Sequence, residues 1–193
     1  MFGLEPDRTV KTETGSSIFC CKGMPYAAFA FAVVSVIAYS IWAFRLVPGR
    51  APMYISIALV YFGLSGLSLS RLVVRPGTIG RFCVVFASLF LIYAVFWCLF
   101  WFGLKGKFHA DLYGSAVGLA AMTFLFLKVL EKREGFLIVF SVLFTCHTLG
   151  YYLGGEGYAV VGGPIGRLIW GARHGLGFGA GLGFLLHHCQ FEK

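Results

Sequence analysis

Apolar residues run through this chain in six long stretches, with short polar or Gly/Pro-rich breaks between them. A helix of about 20 apolar residues rises about 30 Å, the thickness of a bilayer's hydrocarbon core. The pattern predicts helix one over Pro25–Val47, helix two over Met53–Ser70 and helix three over Phe82–Leu104. Helix four is expected over Leu112–Leu130, helix five over Phe136–Leu153 and helix six over Ile165–Leu186. The expected fold is all-α: a polytopic membrane protein, a bundle of six transmembrane helices formed by residues 25–190. Residues 1–24 read as a short polar tail, mixed in charge and without an apolar period, and disorder is expected there. The first apolar run is longer than a signal h-region, so it is expected to stay as a membrane helix.

The breaks carry their own chemistry. Val47-Pro48-Gly49-Arg50-Ala51-Pro52 is a turn signal. Pro25 suits a first helical turn, and Asp111 suits an N-cap at the positive end of a helix dipole. Gly154, Gly155, Gly157, Gly162 and Gly163 predict a linker over residues 154–164. Helix two ends in small and hydroxyl residues that suit a packed interface. Helix three has few such residues and is assigned mostly to lipid contact.

Helix six differs from the rest. Glycines stand at 171, 175, 179 and 183, one per turn, and again at 177 and 181. In a soluble helix each would cost about 0.5–1 kcal/mol relative to Ala. In a bilayer they give a smooth groove for close helix approach, so helix six is expected to be a glycine zipper buried against helix four or five. Gly114 and Gly118 on helix four form a second small pair. Residues 150–183 hold 13 of the 26 glycines, which places the unusual structure near the C-terminus.

Composition fixes the environment. Hydrophobic residues make up 59% and charged residues 12%. A soluble domain has roughly 25% charged residues, so a soluble class is excluded. The net charge of +8 does not point to nucleic acid, because Lys and Arg are scattered over short loops, where lipid headgroups are the partner. Ten of the 16 Lys and Arg lie in the tail, the 2–3 and 4–5 breaks and the C-terminus; Arg45, Arg50, Lys105, Lys107 and Arg167 lie opposite, and Arg173 lies within helix six. The bias places both termini in the cytoplasm, with the bundle in a plasma or inner membrane. No inverted repeat is recognisable. The six cysteines show no zinc-type spacing and no disulfide framework; Cys20 and Cys21 stand where S-acylation is conceivable but idle thiols suffice.

This topology puts the ionisable residues of helices four to six at outer or middle depth. Arg173, His174, His147 and Asp111 are expected to line one outward-facing polar pocket, with Glu156 and Arg167 at its mouth. Arg173 and His174 are adjacent, so on a helix they face about 100° apart. Taken singly, each residue suits scaffold pairing or packing; their convergence suggests a site. Arg offers a fork of donors for a phosphate or carboxylate, and His changes charge near neutral pH. The expected function is binding or movement of a small anion or lipid headgroup. The alternatives are a membrane enzyme using Asp111, a His base and Arg173, a haem or metal held by His147 and His174, and a non-catalytic subunit docking a homo- or hetero-oligomeric partner through helix six. No nucleophile-elbow or zinc-protease motif supports an enzyme, and no cofactor is assigned. His187-His188-Cys189 chelates poorly on a helix and reads as an interfacial tail.

Overall fold

The structure, a computed structural model, describes residues 15–72, 78–132 and 134–191. It contains six α-helices: α1 (Gly15–Ala43), α2 (Arg50–Ser70), α3 (Ile79–Gly103), α4 (Ala110–Val129), α5 (Phe136–Val161) and α6 (Gly163–Phe191). Five are long and apolar enough to cross a membrane: α1 from Gly23, and α2 to α5. The chain is therefore described as membrane-embedded. Helix α6 is longer than most of them, yet its glycines, Arg and His keep it out of that apolar set.

Several boundaries differ from expectation, for local reasons. Helix α1 starts at Gly15, so Pro25 lies inside it rather than in its first turn. Residues 1–14, the side chains of Cys20 and Cys21, Arg75–Gly77 and Arg133 lie outside the description. Asp111 is not the cap of α4: the N-cap is His109, in the left-handed region at φ 54°, and Asp111 sits in the first turn. The glycines at 154, 155 and 157 form no linker. They continue α5 to Val161, because Gly154 and Gly157 lie against Trp170, Ile169 and Arg173 of α6, where no side chain fits. The reversal is confined to Gly162 and Gly163, at φ 66° and 57°, a conformation that glycine enters without a Cβ clash.

The helices form a ring in chain order. Each packs mainly on its sequence neighbours, and α6 closes the ring on α1. The closure is backbone to backbone. A Cβ on Gly175 would lie 2.6 Å from Ala32 Cα, and one on Gly183 would lie 3.0 Å from Met24 Cα. Gly177 and Gly181 face α5 instead, against Gly150 and Leu143. The face at 171, 175, 179 and 183 thus packs on α1, not on helix four or five as expected. Both glycine faces make close contacts within the chain. Gly114 and Gly118 of α4 pack on Trp97 and Tyr93 of α3 and bring no helix toward α6.

The ring is filled with aromatic side chains. Phe178 of α6 is the hub, with ring centroids 5.2 Å from Phe31, 5.8 Å from Phe90, 5.3 Å from Tyr93 and 4.8 Å from His147. Such spacings suit offset and edge-to-face packing of ring quadrupoles. Helix α3 is consequently no lipid-contact helix alone: Phe82, Phe86, Leu89, Phe90 and Tyr93 bury one face in the core, while Val84, Leu91 and Leu99 remain exposed.

Candidate functional site

The six expected site residues do not share one cavity. His147 and His174 meet at the centre of the bundle. His147 is presented by α5 and is 1% exposed; His174 is presented by α6 on the turn between Gly171 and Gly175. The glycines that draw α6 onto α5 set their distance, with Nε2 to Nε2 at 3.2 Å and the rings nearly perpendicular at 84°. The Tyr93 hydroxyl lies 2.8 Å from His147 Nε2, and the Tyr39 hydroxyl 3.5 Å from His174 Nδ1. A polar chain therefore crosses the core from α1 through α6 and α5 to α3. With both imidazoles neutral, one Nε2 donates and the other accepts, so the two rings hold opposite tautomers. His147 Nδ1 is buried and makes no hydrogen bond.

Arg173 is not part of this centre. It faces outward and is exposed, as the 100° offset from His174 requires. Its Nη1 donates to the Leu153 carbonyl at 2.8 Å. Gly157 makes room for it, since a Cβ there would lie 2.9 Å from the same nitrogen. Among the described residues no carboxylate pairs with it. Beside it, an open groove of about 520 Å³ runs between α5 and α6, lined by Cys146, Leu149, Gly150, Leu153, Leu176 and Gly177. Apart from Arg173 the lining is apolar or glycine. The single shared cavity expected from the sequence is thus two sites on opposite sides of the α5/α6 contact.

Arg167 has a structural position. Its Nη1 donates to the carbonyls of Trp42 at 3.1 Å and Ala43 at 3.5 Å, and its guanidinium stacks 4.6 Å from the Trp42 ring. It therefore caps the C-terminal, negative end of the α1 dipole. Asp111 lies half-buried in a crevice between α4 and α5 that it shares with Ser115, His147, Thr148, Tyr151 and Tyr152. Glu156 is exposed on α5 and lines neither the groove nor the crevice.

The other chemical candidates change as well. His187, His188 and Cys189 are no tail; they continue α6 and are buried, at 8%, 6% and 2% exposure. Among the described residues, no three His, Cys, Asp or Glu side chains converge as metal ligands. A haem does not fit between His147 and His174, because their nitrogens are in hydrogen-bond contact and Phe178 and Tyr93 pack against the rings. The cysteines at 83, 98, 146 and 189 are free thiols. Sequence reasoning missed Tyr39, Tyr93 and Phe178. All three sit in apolar runs where aromatic residues serve lipid contact equally well. No family model, no curated protein and no solved structure matches the chain.

Proposed function

We propose that this protein binds an anionic lipid in the groove between α5 and α6, with Arg173 as the headgroup anchor. The observation that carries the reading is an arginine without a carboxylate at the end of an apolar groove. Arg173 stands ten residues into α6, about 15 Å along the helix axis. Its side chain reaches back over Gly157 toward the start of α6, as a snorkelling arginine does. The rest of the groove extends the other way, toward Cys146 and Leu149, where an acyl chain meets only apolar atoms and glycine. A phosphate accepts the remaining guanidinium donors in a charge-assisted pair.

This reading takes α6 as a sixth span and a glycine zipper, both termini as cytoplasmic, and the bundle as resident in a plasma or inner membrane. Labelling single-cysteine variants from outside intact cells tests the topology: position 106 reacts, and positions 77 and 133 do not. Native mass spectrometry of gently purified protein tests the ligand. Arg173→Gln lowers retention of an anionic phospholipid about tenfold or more, the weight of one charge-assisted contact. Retention of phosphatidylcholine is unchanged. If inorganic phosphate displaces the lipid at low concentration, the ligand is the anion itself. If Arg173→Gln retains anionic lipid fully, the groove is not the site.

A further inference from the structure

We propose that the His147–His174 pair is a binding site for a single proton at the centre of the bundle, loaded through the α4/α5 crevice that leads from Asp111. The site does not depend on lipid in the α5/α6 groove, because Arg173 points away from the His pair and into that groove. Its capacity follows from the distance. Two Nε2 atoms 3.2 Å apart share one hydrogen, and a hydrogen on each would force both between the rings. The pair therefore accepts one proton beyond the neutral state and no more.

The place where that proton lands also follows. In the neutral pair that is ready to load, His147 Nε2–H donates to His174 Nε2, and His174 Nδ1–H faces the Tyr39 oxygen. The one imidazole nitrogen of the pair without a partner is His147 Nδ1. Beside it the Thr148 hydroxyl is likewise buried and unpartnered, and both residues line the crevice with Asp111. A solvent proton taken at Nδ1 makes His147 an imidazolium whose second N–H has the Asp111 side of the crevice to face. The carboxylate at the crevice's outer end offsets the charge, and Ser115 links its wall to the Tyr93 hydroxyl.

Among the described residues no cationic side chain faces the pair from the surrounding elements. Tyr39 of α1 and Tyr93 of α3 face the pair with hydroxyls, Tyr151 of α5 stacks beside the His147 ring and meets the His174 ring edge-on, and Tyr61 of α2 bonds Ser35 one ring further along. Asp111 is the group on α4, and α6 turns its Arg173 outward. The crevice holds about 150 Å³ of space between atoms but no room for a whole water molecule, so loading requires the seam to widen. That seam, α4 against α5, is the most sparsely packed in the ring.

The test uses the full chain with ¹⁵N-imidazole histidine in phosphatidylcholine nanodiscs, followed from about pH 8 to about pH 5, the range in which an imidazole changes charge. At the upper end, His147 and His174 show opposite tautomers. On acidification both rings change together with uptake of one proton. Asp111→Asn lowers the proton affinity about tenfold, one pH unit. His147→Gln abolishes the change at His174, and Glu156→Gln, at an exposed residue outside groove and crevice, leaves it intact. Should His147→Gln fail to fold, the unmodified protein still decides. Independent titration with two protons, identical tautomers, or no change down to about pH 5 overturns the proton site. An unaltered affinity in Asp111→Asn overturns the loading route.

Discussion

The contact of α6 with α1 and α5 and the contact of α4 with α5 are built on opposite plans. In the first, glycine removes the side chains and the backbones touch: a Cβ on Gly150 would lie 3.0 Å from Gly177 Cα. In the second, no glycine intervenes, packing is sparse, and a polar crevice remains. The first plan fixes the separation of two helices to a few tenths of an ångström, because backbone atoms cannot change rotamer. The second leaves a seam whose side chains can shift. His147 stands on the helix that belongs to both. Its distance from His174 is set on the rigid side, and its ring also lines the crevice of the yielding one.

The sharpest way to break this contrast is to fill a glycine. Gly177→Leu places a side chain into the Cys146 carbonyl and Gly150, and overpacking of this kind costs about 3 kcal/mol or more. Thermal unfolding in detergent should show a large loss of stability or no folded protein. The same change at Gly63 of α2, where no atom lies within 4 Å, should leave unfolding nearly unaltered. Equal effects would mean that the two regions do not differ in kind.

Next in size is the aromatic hub. Phe178→Ala empties the centre and is expected to cost about 3–5 kcal/mol, whereas Phe124→Ala, at a residue 56% exposed, should cost far less. Smaller again is Arg167→Gln. It removes a charged donor from the last carbonyls of α1 and should lower stability by about 1.5–3 kcal/mol, read from the same unfolding curves. Thr123→Val on α4 sharpens the comparison from the other side. Its hydroxyl is fully buried without a hydrogen bond, so the isosteric apolar residue should be neutral or stabilise by about 1 kcal/mol. A clear destabilisation would show that the hydroxyl has a partner.

Run lengths made the helices legible, and glycine spacing made α6 stand out before any coordinates. The His pair was also legible in outline, since two imidazoles on consecutive glycine-rich helices have few ways to avoid each other. What could not be read was the direction each face turns. In a soluble helix the polar stripe marks the outside; here both outside and inside are apolar, so Phe90 and Val84 of α3 give the same signal from opposite faces. For the same reason Gly114 and Gly118 revealed that something packs there, but not that it is α3. Arg173 and His174 were expected in one cavity because they are neighbours in sequence. Adjacency on a helix is what separates them, and it supplies two sites from one turn.

The closure of the ring sets an order of assembly. Helix α1 is synthesised before α6, and the surface it presents to α6, from Ala27 through Ser35 to Tyr39, has no cover until α6 is made. Neither α2 nor α3 can substitute, because that surface is shaped to a row of glycines and carries the acceptor carbonyls of Trp42 and Ala43 for Arg167. A chain that stops after α5 would keep five apolar helices and lose the element that joins α5 to α1. For the cell, α6 is therefore the element that closes the ring: until Gly163–Phe191 are made, α1 waits in the bilayer with its intended partner missing.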